Sequence, residues 1–447
     1  MTDIAPIVNA SKPNIIVNNS TTELQDSLYT EVSKEVSINP RTMVFRGIAT
    51  VVAGFLCNFI VFGISFSYGV FQDYYTDPTN GPLKHYSNSK VALIGSSATA
   101  LTYIFGILNG KMLAYFKAPW KVMTIGCVCM SAGLILASFC NEIYQFVLTQ
   151  GILYGIGSSF LYMPPVVCAP LFFKKYKAFM MGFLFAGTGV GAFAMSLITR
   201  KLLNVVGWRW SLRILGFMNI FFGLVAAALV KVPPGLNFSK NNRIINFSNL
   251  KSAKVISQLG ASLFQSAGYI IPLIYMSKYA NTLQYSNTQG AWFIGINNLV
   301  NAVFKIIIGF AADKTGRLNM IIICNFLSSL SIFTLWMIGS RDVFVAFVVM
   351  YGVFSGAIIS LLPTCLIDLF GASQYQALTG LMYFCRGIGS MLGTPIAGLL
   401  IKNNGFITKD YQNAIIYNGV LLSVSTILLG VMRYTYSKEK GVFKWFV

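Results

Sequence analysis

Charged residues are scarce in this sequence of 447 residues: Asp, Glu, Lys and Arg together make up 10% of it, while hydrophobic residues make up 55%. A soluble globular protein carries about 25% charged residues. The deficit excludes a surface that faces water over most of the chain, so the sequence belongs to the membrane class before any motif is considered.

Acidic residues are the scarcest of the charged types, with 13 Asp and Glu against 33 Lys and Arg and a formal net charge of +20. In a soluble protein this excess would suggest nucleic acid. Here the basic residues lie mostly between apolar segments, and no polar domain interleaves them with aromatic residues. The excess therefore indicates membrane topology, and we expect no nucleic acid as a partner.

Histidine is nearly absent, which argues against enzyme chemistry. The single His85 lies in a predicted outer loop and is expected to be solvated; a metal cluster or a Ser-His-Asp triad would need more ligands or partners. All eight cysteines lie in apolar segments, and Cys127 and Cys129 are separated by one residue, which is neither a redox nor a zinc spacing. We therefore expect no enzyme, no metal and no cofactor, and cysteines that pack as free thiols.

Long apolar segments are abundant. Crossing a bilayer takes about 20 apolar residues, and twelve segments qualify. In chain order they are spans one to twelve, at 47–71, 89–112, 121–140, 143–170, 178–199, 208–231, 255–276, 289–311, 319–339, 343–368, 376–401 and 412–434.

Polar segments divide these spans into two groups of six. Residues 1–46 have no apolar run, so they form no signal peptide and are expected to be a disordered cytoplasmic tail. The longest polar connection, 232–254, is expected to be a cytoplasmic linker. The fold predicted is an all-α membrane protein with twelve transmembrane helices in two pseudo-symmetric six-helix bundles, 47–231 and 255–434, followed by a cytoplasmic tail at 435–447.

The basic residues near the span ends set the orientation. With both termini in the cytoplasm, Lys and Arg favour the inner segments over the outer loops by about two to one, which is the expected sign. We expect a monomer in the lipid bilayer of the plasma membrane, with a vacuolar or other organelle membrane as the alternative.

A sequence repeat relates the two groups of spans. Glycines at three positions of span five return 198 residues later in span eleven: Gly182, Gly189 and Gly191 correspond to Gly380, Gly387 and Gly389. A membrane chain built from two similar halves indicates a transporter, because a site at the seam between repeats can face one side and then the other.

Two basic residues stand out inside spans, Lys305 in span eight and Arg386 in span eleven. Each such charge costs about 2.5–3.5 kcal/mol at the bilayer centre. Both belong to polar stripes whose spacing puts them on one helix face. The stripes are Asn297, Asn301 and Lys305 in span eight, and Thr379, Tyr383, Arg386 and Ser390 in span eleven.

Two interpretations of these stripes remain open. They line a central cavity in which two cations await an anion, or they form a buried network in which Arg386 bonds to backbone carbonyls. No acidic residue lies in the middle of a span, and Asp368 is the nearest, at the cytoplasmic end of span ten. A buried cation without a carboxylate is costly, which favours a substrate anion. The predicted substrate-binding residues are Arg386, Lys305, Asn301, Asn297, Tyr383 and Tyr154.

The loop after span eight carries a second motif. Its residues Gly309, Asp313, Gly316 and Arg317 are expected to form a conformational latch between helices. Glycine allows close approach, and Asp313 either caps the helix that begins near Leu318 or pairs with a basic residue of a neighbouring helix.

The segment from Gly309 to Arg317 resembles the loop motif of the major facilitator superfamily. In the first-half copy, Gly110 to Lys121, Tyr115 stands where the acid is usual. Within the superfamily the chain resembles the fungal branch of the monocarboxylate-transporter homologues, from span one to span twelve. The stretches that carry this resemblance are Phe62–Gln72, Leu171–Gly187 and Gly268–Pro272.

The resemblance implies alternating access by rocking of two six-helix halves, and proton-linked movement (symport) of small carboxylates in the best-known animal members. Those members carry a lysine in span one and an Asp-x-x-x-Arg pair in span eight. Here Phe66 stands near the lysine position, Asn301 at the aspartate and Lys305 at the arginine. The span eight pair of this chain therefore keeps a positive charge but lacks the protonatable acid. Proton coupling is left open.

The sequence therefore predicts a secondary transporter of a small, monocarboxylate-like organic anion. Two alternatives remain: a facilitative carrier of a vitamin-like or aromatic solute such as riboflavin, and a transport-inactive nutrient sensor.

Overall fold

The computed structural model of the protein describes residues 40–79, 81–233, 252–402 and 405–440. Most of the predicted N-terminal tail and linker, and the end of the predicted C-terminal tail, lie outside these residues. The described chain is helical throughout and contains no strand in these ranges.

The first half, up to residue 233, is a succession of apolar helices joined by short connections. These helices are Pro40–Phe66, Tyr68–Tyr75, Asn88–Ile104, Gly106–Phe116, Pro119–Ala137, Ile143–Phe146, Tyr154–Cys168 and Lys177–Leu229, with a π-helical segment at Val147–Leu153 and a 3₁₀ turn at Ala169–Leu171. The first helix begins at Pro40, before the predicted start of span one at residue 47.

The second half, from residue 252, repeats this pattern. Its helices are Ala253–Thr282, Asn287–Thr315, Arg317–Ser331, Arg341–Ser355, Ala357–Leu400 and Gln412–Lys440, with a π-helical segment at Ile332–Trp336 and a 3₁₀ turn at Thr408–Tyr411. The last helix continues past residue 434, the predicted end of span twelve.

Every predicted span lies mostly in helix, and some helices hold two spans. In the described chain, nine helices are long and apolar enough to cross a membrane, or ten when Lys90–Ile104 and Gly106–Phe116, bent by 50°, count as one. Predicted spans five and six share Lys177–Leu229, which breaks at Gly207. The all-helical membrane fold is confirmed, and the number twelve stays a prediction.

The break at Gly207 and a second one at Gly371 have the same local cause. Their φ angles are 73° and 74°, in the left-handed region that glycine adopts at little cost. A Cβ added at either position would meet nothing within 4 Å. These two positions therefore need glycine for backbone conformation and not for space.

Two seams join the first half to the second. In the span five–eight seam, Gly182 and Gly189 lie directly against the backbone carbonyls of Lys305 and Asn298. In the span two–eleven seam, Gly380 and Gly387 lie against backbone atoms of span two, with contacts from an added Cβ of 3.3 Å to the Gly106 oxygen and 3.0 Å to the Ala100 oxygen. Small residues let membrane helices approach this closely. The repeated glycines therefore allow the two halves to pack closely at both seams.

Candidate substrate site

Arg386 is buried between the halves, with 1% of its surface exposed. Its Nη1 donates to Oε1 of Gln265 in span seven over 2.6 Å, and its guanidinium carbon lies 5.7 Å from the ring centroid of Tyr103 in span two. Its Nε has no hydrogen-bond partner among the described residues. The guanidinium is thus held by a neutral amide and an aromatic face, with donor capacity left over.

Four aromatic side chains form a cluster beside this guanidinium: Phe62, Tyr103, Tyr162 and Tyr383. The Tyr162 hydroxyl donates to the Tyr383 hydroxyl over 2.8 Å, and Tyr383 stacks on Tyr103 with ring centroids 5.8 Å apart. Phe62 packs against both Tyr103 and Tyr162, at 5.6 and 5.1 Å. The aromatic cluster therefore combines three spans of the first half with span eleven of the second.

Lys305 lies in the span five–eight seam and is fully buried. Its Nζ donates to Oγ1 of Thr188 over 2.5 Å and to the carbonyl oxygen of Phe185 over 3.3 Å, both in span five. Lys305 belongs to the second half and both acceptors belong to the first. The ammonium therefore tethers the halves through neutral oxygen atoms.

No carboxylate of the described residues lies within 4 Å of the charged nitrogens of Arg386 or Lys305; the ion pairs involve other residues. Each cation is therefore buried without a fixed acid beside it in the described chain, which leaves its charge electrostatically unsatisfied. Arg386 donates to a side-chain amide of span seven and not to a backbone carbonyl, and both interpretations of the stripes, a cavity and a buried network, stay open.

Two of the other three predicted site residues donate to backbone carbonyls, and the third has an unpartnered amide nitrogen among the described residues. Asn297 donates from Nδ2 to the Val348 carbonyl oxygen over 2.8 Å, which ties span eight to span ten. Asn301 packs on Gly356, and its Nδ2 has no partner in the described chain. Tyr154 donates to the Val61 carbonyl oxygen over 2.9 Å, inside the first half.

Taken together, the structure brings Arg386 and Tyr383 into one cluster, places Lys305 in the neighbouring seam, and gives Asn297 and Tyr154 partners in the protein. All six predicted side chains are at most 3% exposed, so the described state is closed around them. Four further residues join the site: Gln265, Phe62, Tyr103 and Tyr162.

A signal for Gln265 exists in the sequence. Ser262, Gln265, Ser266 and Tyr269 follow helical spacing in span seven, and all are buried. Thr188 has a signal in the repeat, since it lies 198 residues before Arg386. Both are neutral residues, which are common at helix contacts in membranes, so neither stands out as a charge does.

The predicted latch residues form one network at the end of the span five–eight seam. Oδ1 and Oδ2 of Asp313 accept hydrogen bonds from the backbone N–H groups of Ala178 and Phe179, over 3.1 and 2.9 Å. These groups begin the helix of span five, where a carboxylate satisfies open donors and complements the helix dipole. Asp313 thus caps a helix of the other half and not the one near Leu318. Of its two expected roles, the structure has the pairing with a basic residue, Arg317.

Arg317 extends this network. It donates to Asp313 over 2.9 and 2.6 Å and to Asp368 over 2.6 Å, and Lys177 lies 3.6 Å from Asp368. Gly309 fits against the Ala178 carbonyl oxygen, 2.5 Å from where its Cβ would be. Gly316, with φ 99°, ends the helix of span eight.

The first-half copy of this motif differs. Tyr115, at the position of the acid, is 76% exposed. A nearby link between halves is the hydrogen bond from the Tyr375 hydroxyl to the Val166 carbonyl oxygen, 3.0 Å long. The latch is therefore asymmetric, with its ionic part on the span five–eight side.

Metal ligands do not cluster in the described part of the chain, which contains no group of three or more His, Cys, Asp or Glu side chains able to hold a metal ion. The site's chemistry, as far as the described residues go, is that of two cations, amides and aromatic rings.

Comparison with known proteins gives the following matches. The sequence model of the Major Facilitator Superfamily matches residues 48–257 and again residues 255–444. The MFS-type transporter pynF of Aspergillus niger is 28% identical over 386 residues, covering 85% of this chain and 88% of that protein.

Two further fungal relatives have names that state an activity. The aspyridones efflux protein apdF of Emericella nidulans is 27% identical, over 87% of this chain and 78% of its own length. The agnestins efflux protein AgnL12 of Paecilomyces divaricatus is 26% identical, over 93% and 96%.

Solved structures share the fold at low sequence identity. The human organic anion transporter MFSD10 has a TM-score of 0.62 at 14% identity, covering 88% of this chain and 100% of that one. The proton:xylose symporter XylE, bound to 6-bromo-6-deoxy-D-glucose, has a TM-score of 0.66 at 14% identity, covering 87% and 95%. At these identities the likeness concerns the fold alone.

Proposed function

Because this chain belongs to the major facilitator superfamily, we propose that it is a secondary transporter that moves a small organic anion with an aromatic ring by alternating access. Superfamily members are membrane transporters and not enzymes, so the general activity follows from membership. The proposal concerns the substrate and the residues that hold it.

One observation carries the proposal. Arg386 is buried where the two halves meet, has no carboxylate within 4 Å among the described residues, and has an Nε without a partner. Burying a charge away from water is costly unless it is paired and hydrogen-bonded. A substrate anion would supply the pairing, and Arg binds carboxylates through two parallel hydrogen bonds.

The aromatic cluster supports a ring on the substrate. Phe62, Tyr103, Tyr162 and Tyr383 present ring faces and hydroxyls next to the guanidinium. Offset stacking of aromatic rings contributes about 0.5–1.5 kcal/mol beyond area burial. A flat acidic solute therefore suits this site better than a small aliphatic acid such as lactate.

The remaining predicted residues differ in how directly they would contact the substrate. Lys305 would reach the anion once its bonds to Thr188 and Phe185 open, and the unpartnered Nδ2 of Asn301 would donate to the solute. Asn297 and Tyr154 act as wall residues, since each already donates to a backbone carbonyl.

Export is the favoured direction. The names of two relatives describe efflux. An inside-negative potential of 100 mV favours outward movement of a monoanion by about 2.3 kcal/mol. Export therefore needs no proton partner, which fits a chain with no acid in the middle of a predicted span. The monocarboxylate branch and proton symport stay predictions.

Counterflow in proteoliposomes tests the proposal. Vesicles preloaded with each unlabelled solute take up its labelled form: benzoate, nicotinate, riboflavin, pyruvate and lactate. We expect the aromatic carboxylates to exchange faster than pyruvate and lactate, with no effect of a proton uncoupler. Equal exchange of riboflavin and benzoate would overturn the proposal that the substrate is an anion. If a well-folded protein exchanges none of these solutes, the transport-inactive sensor is favoured.

A further inference from the structure

A groove lies on the outer surface of the first half, between span three and span six. Its volume is about 210 Å³. Side chains of both spans line it: Trp120, Thr124, Leu224, Ala227, Ala228, Val230 and Lys231. It takes no part in the substrate site or the latch.

The two helices touch closely on one side of this groove. Asn219 donates to the Ser131 hydroxyl over 3.1 Å, and a Cβ on Gly223 would lie 2.5 Å from the Cys127 sulfur. Beyond Gly223, span six continues with the small residues Ala227 and Ala228. Both line the groove, where they leave space that larger side chains would fill.

The mouth of the groove is basic and aromatic. Lys231 is exposed, and its Nζ donates to the Ala228 carbonyl oxygen over 3.0 Å. Lys121 does not line the groove itself but lies next to it, since it follows Trp120 and its Nζ is 5.6 Å from the indole centroid. No carboxylate of the described residues lies within 4 Å of either ammonium.

Several apolar side chains that line the groove are exposed on the outer surface of the protein. Trp120 is 52% exposed and Leu224 43% exposed, on a surface that lipid covers in a membrane protein. Trp prefers the headgroup level of a bilayer. The groove therefore runs from that level into the acyl region, with its lysines on the side predicted to be cytoplasmic.

We propose that this groove binds an anionic phospholipid. Lys231 and Lys121 hold the phosphate and the acidic headgroup, Trp120 packs at the interface, and an acyl chain lies along Leu224 and Ala228. The cytoplasmic leaflet carries anionic lipid, and basic pockets between helices on that side bind such headgroups. The site is independent of the transported substrate.

Lipid retention by the purified full-length protein, measured by native mass spectrometry, tests the site. The probes are phosphatidylserine and phosphatidylcholine with identical acyl chains, supplied at equal concentration. We expect phosphatidylserine to be retained preferentially, and the preference to fall about fivefold in Lys231→Gln, as one basic side chain near an anionic lipid implies. Lys121→Gln should reduce it in the same direction.

Lys314→Gln is the matched control, because Lys314 is also exposed and lies 4.3 Å from the ring of Phe310, outside the groove. Its preference for phosphatidylserine should equal that of the parent. An equal loss in Lys314→Gln would overturn the proposal in favour of general basic attraction. So would unchanged retention in monodisperse Lys231→Gln, or displacement of the lipid by millimolar inorganic phosphate.

Discussion

Gly182 and Gly380, 198 residues apart in the sequence, occupy equivalent places in the two seams between the halves. Gly182 of span five lies against the backbone of Lys305 in span eight, and Gly380 of span eleven lies against the backbone of Gly106 and Ile107 in span two. The third repeated pair, Gly191 and Gly389, instead faces spans one and seven within each half. The repeat thus preserves the contacts between the halves as well as those inside them.

Replacing Gly182 with Ala should destabilise the protein. The added Cβ would collide with the carbonyl oxygen of Lys305, and overpacking of this kind costs about 1–3 kcal/mol. The unfolding temperature of the purified protein in detergent measures the effect. Gly430→Ala in span twelve is the control, since its Cβ would meet nothing within 4 Å. Equal melting of Gly182→Ala and the parent would show that the seam is not tightly packed.

Replacing Arg386 with Gln should abolish transport while leaving the protein folded. Truncating one partner of a buried charge pair costs about 2–5 kcal/mol, which corresponds to at least about a 30-fold loss. Arg386→Lys should recover only part of the activity, because an ammonium lacks the planar fork. Counterflow of the aromatic carboxylate that the parent carries is the measurement. Parental counterflow by a stable Arg386→Gln protein contradicts the assignment.

Most of the fold could be predicted from the sequence because apolar length and repeated glycines are strong signals. Helix ends were harder. The first helix begins at Pro40 in a polar stretch, where no hydrophobic pattern marks it. Spans five and six continue through Gly207 as one helix with a break, since only the backbone angle at that residue separates them.

The site was predictable only where a charge stands inside an apolar run. Arg386 and Lys305 met that condition, whereas Gln265 and Thr188 did not. The partner of Asp313 was also hidden, because Ala178 lies 135 positions away in the chain. A sequence shows the nearest helix start and not the one that packing brings alongside.

The latch should behave as a coupled unit. Asp313 and Arg317 are largely buried, with side-chain exposures of 2% and 13%. A double-mutant cycle with Asp313→Asn and Arg317→Gln should give a coupling of about 0.5–3 kcal/mol. Thermal unfolding of the parent, the two single variants and the double variant gives the four free energies of unfolding that the cycle needs. The control pair is Lys254 and Glu439, where Glu439 is 56% exposed and coupling should be about 0–1 kcal/mol. Additive effects at Asp313 and Arg317 would rule out a coupled latch.

Variants of Thr188 and Lys305 distinguish a structural role of Lys305 from a role in binding the substrate. Thr188→Val leaves the ammonium only the Phe185 carbonyl oxygen, and an incompletely bonded buried group costs about 1–3 kcal/mol. Thr188→Ser keeps the hydroxyl and should melt with the parent. Lys305→Met removes the charge while filling similar space, and a charge buried without an ionic partner is costly to keep away from water. We therefore expect Lys305→Met to melt at or above the parental temperature and yet lose counterflow, because an anion entering the seam would find one cation instead of two. If Lys305→Met transports at the parental rate, Lys305 does not contact the substrate, and Arg386 alone carries the anion.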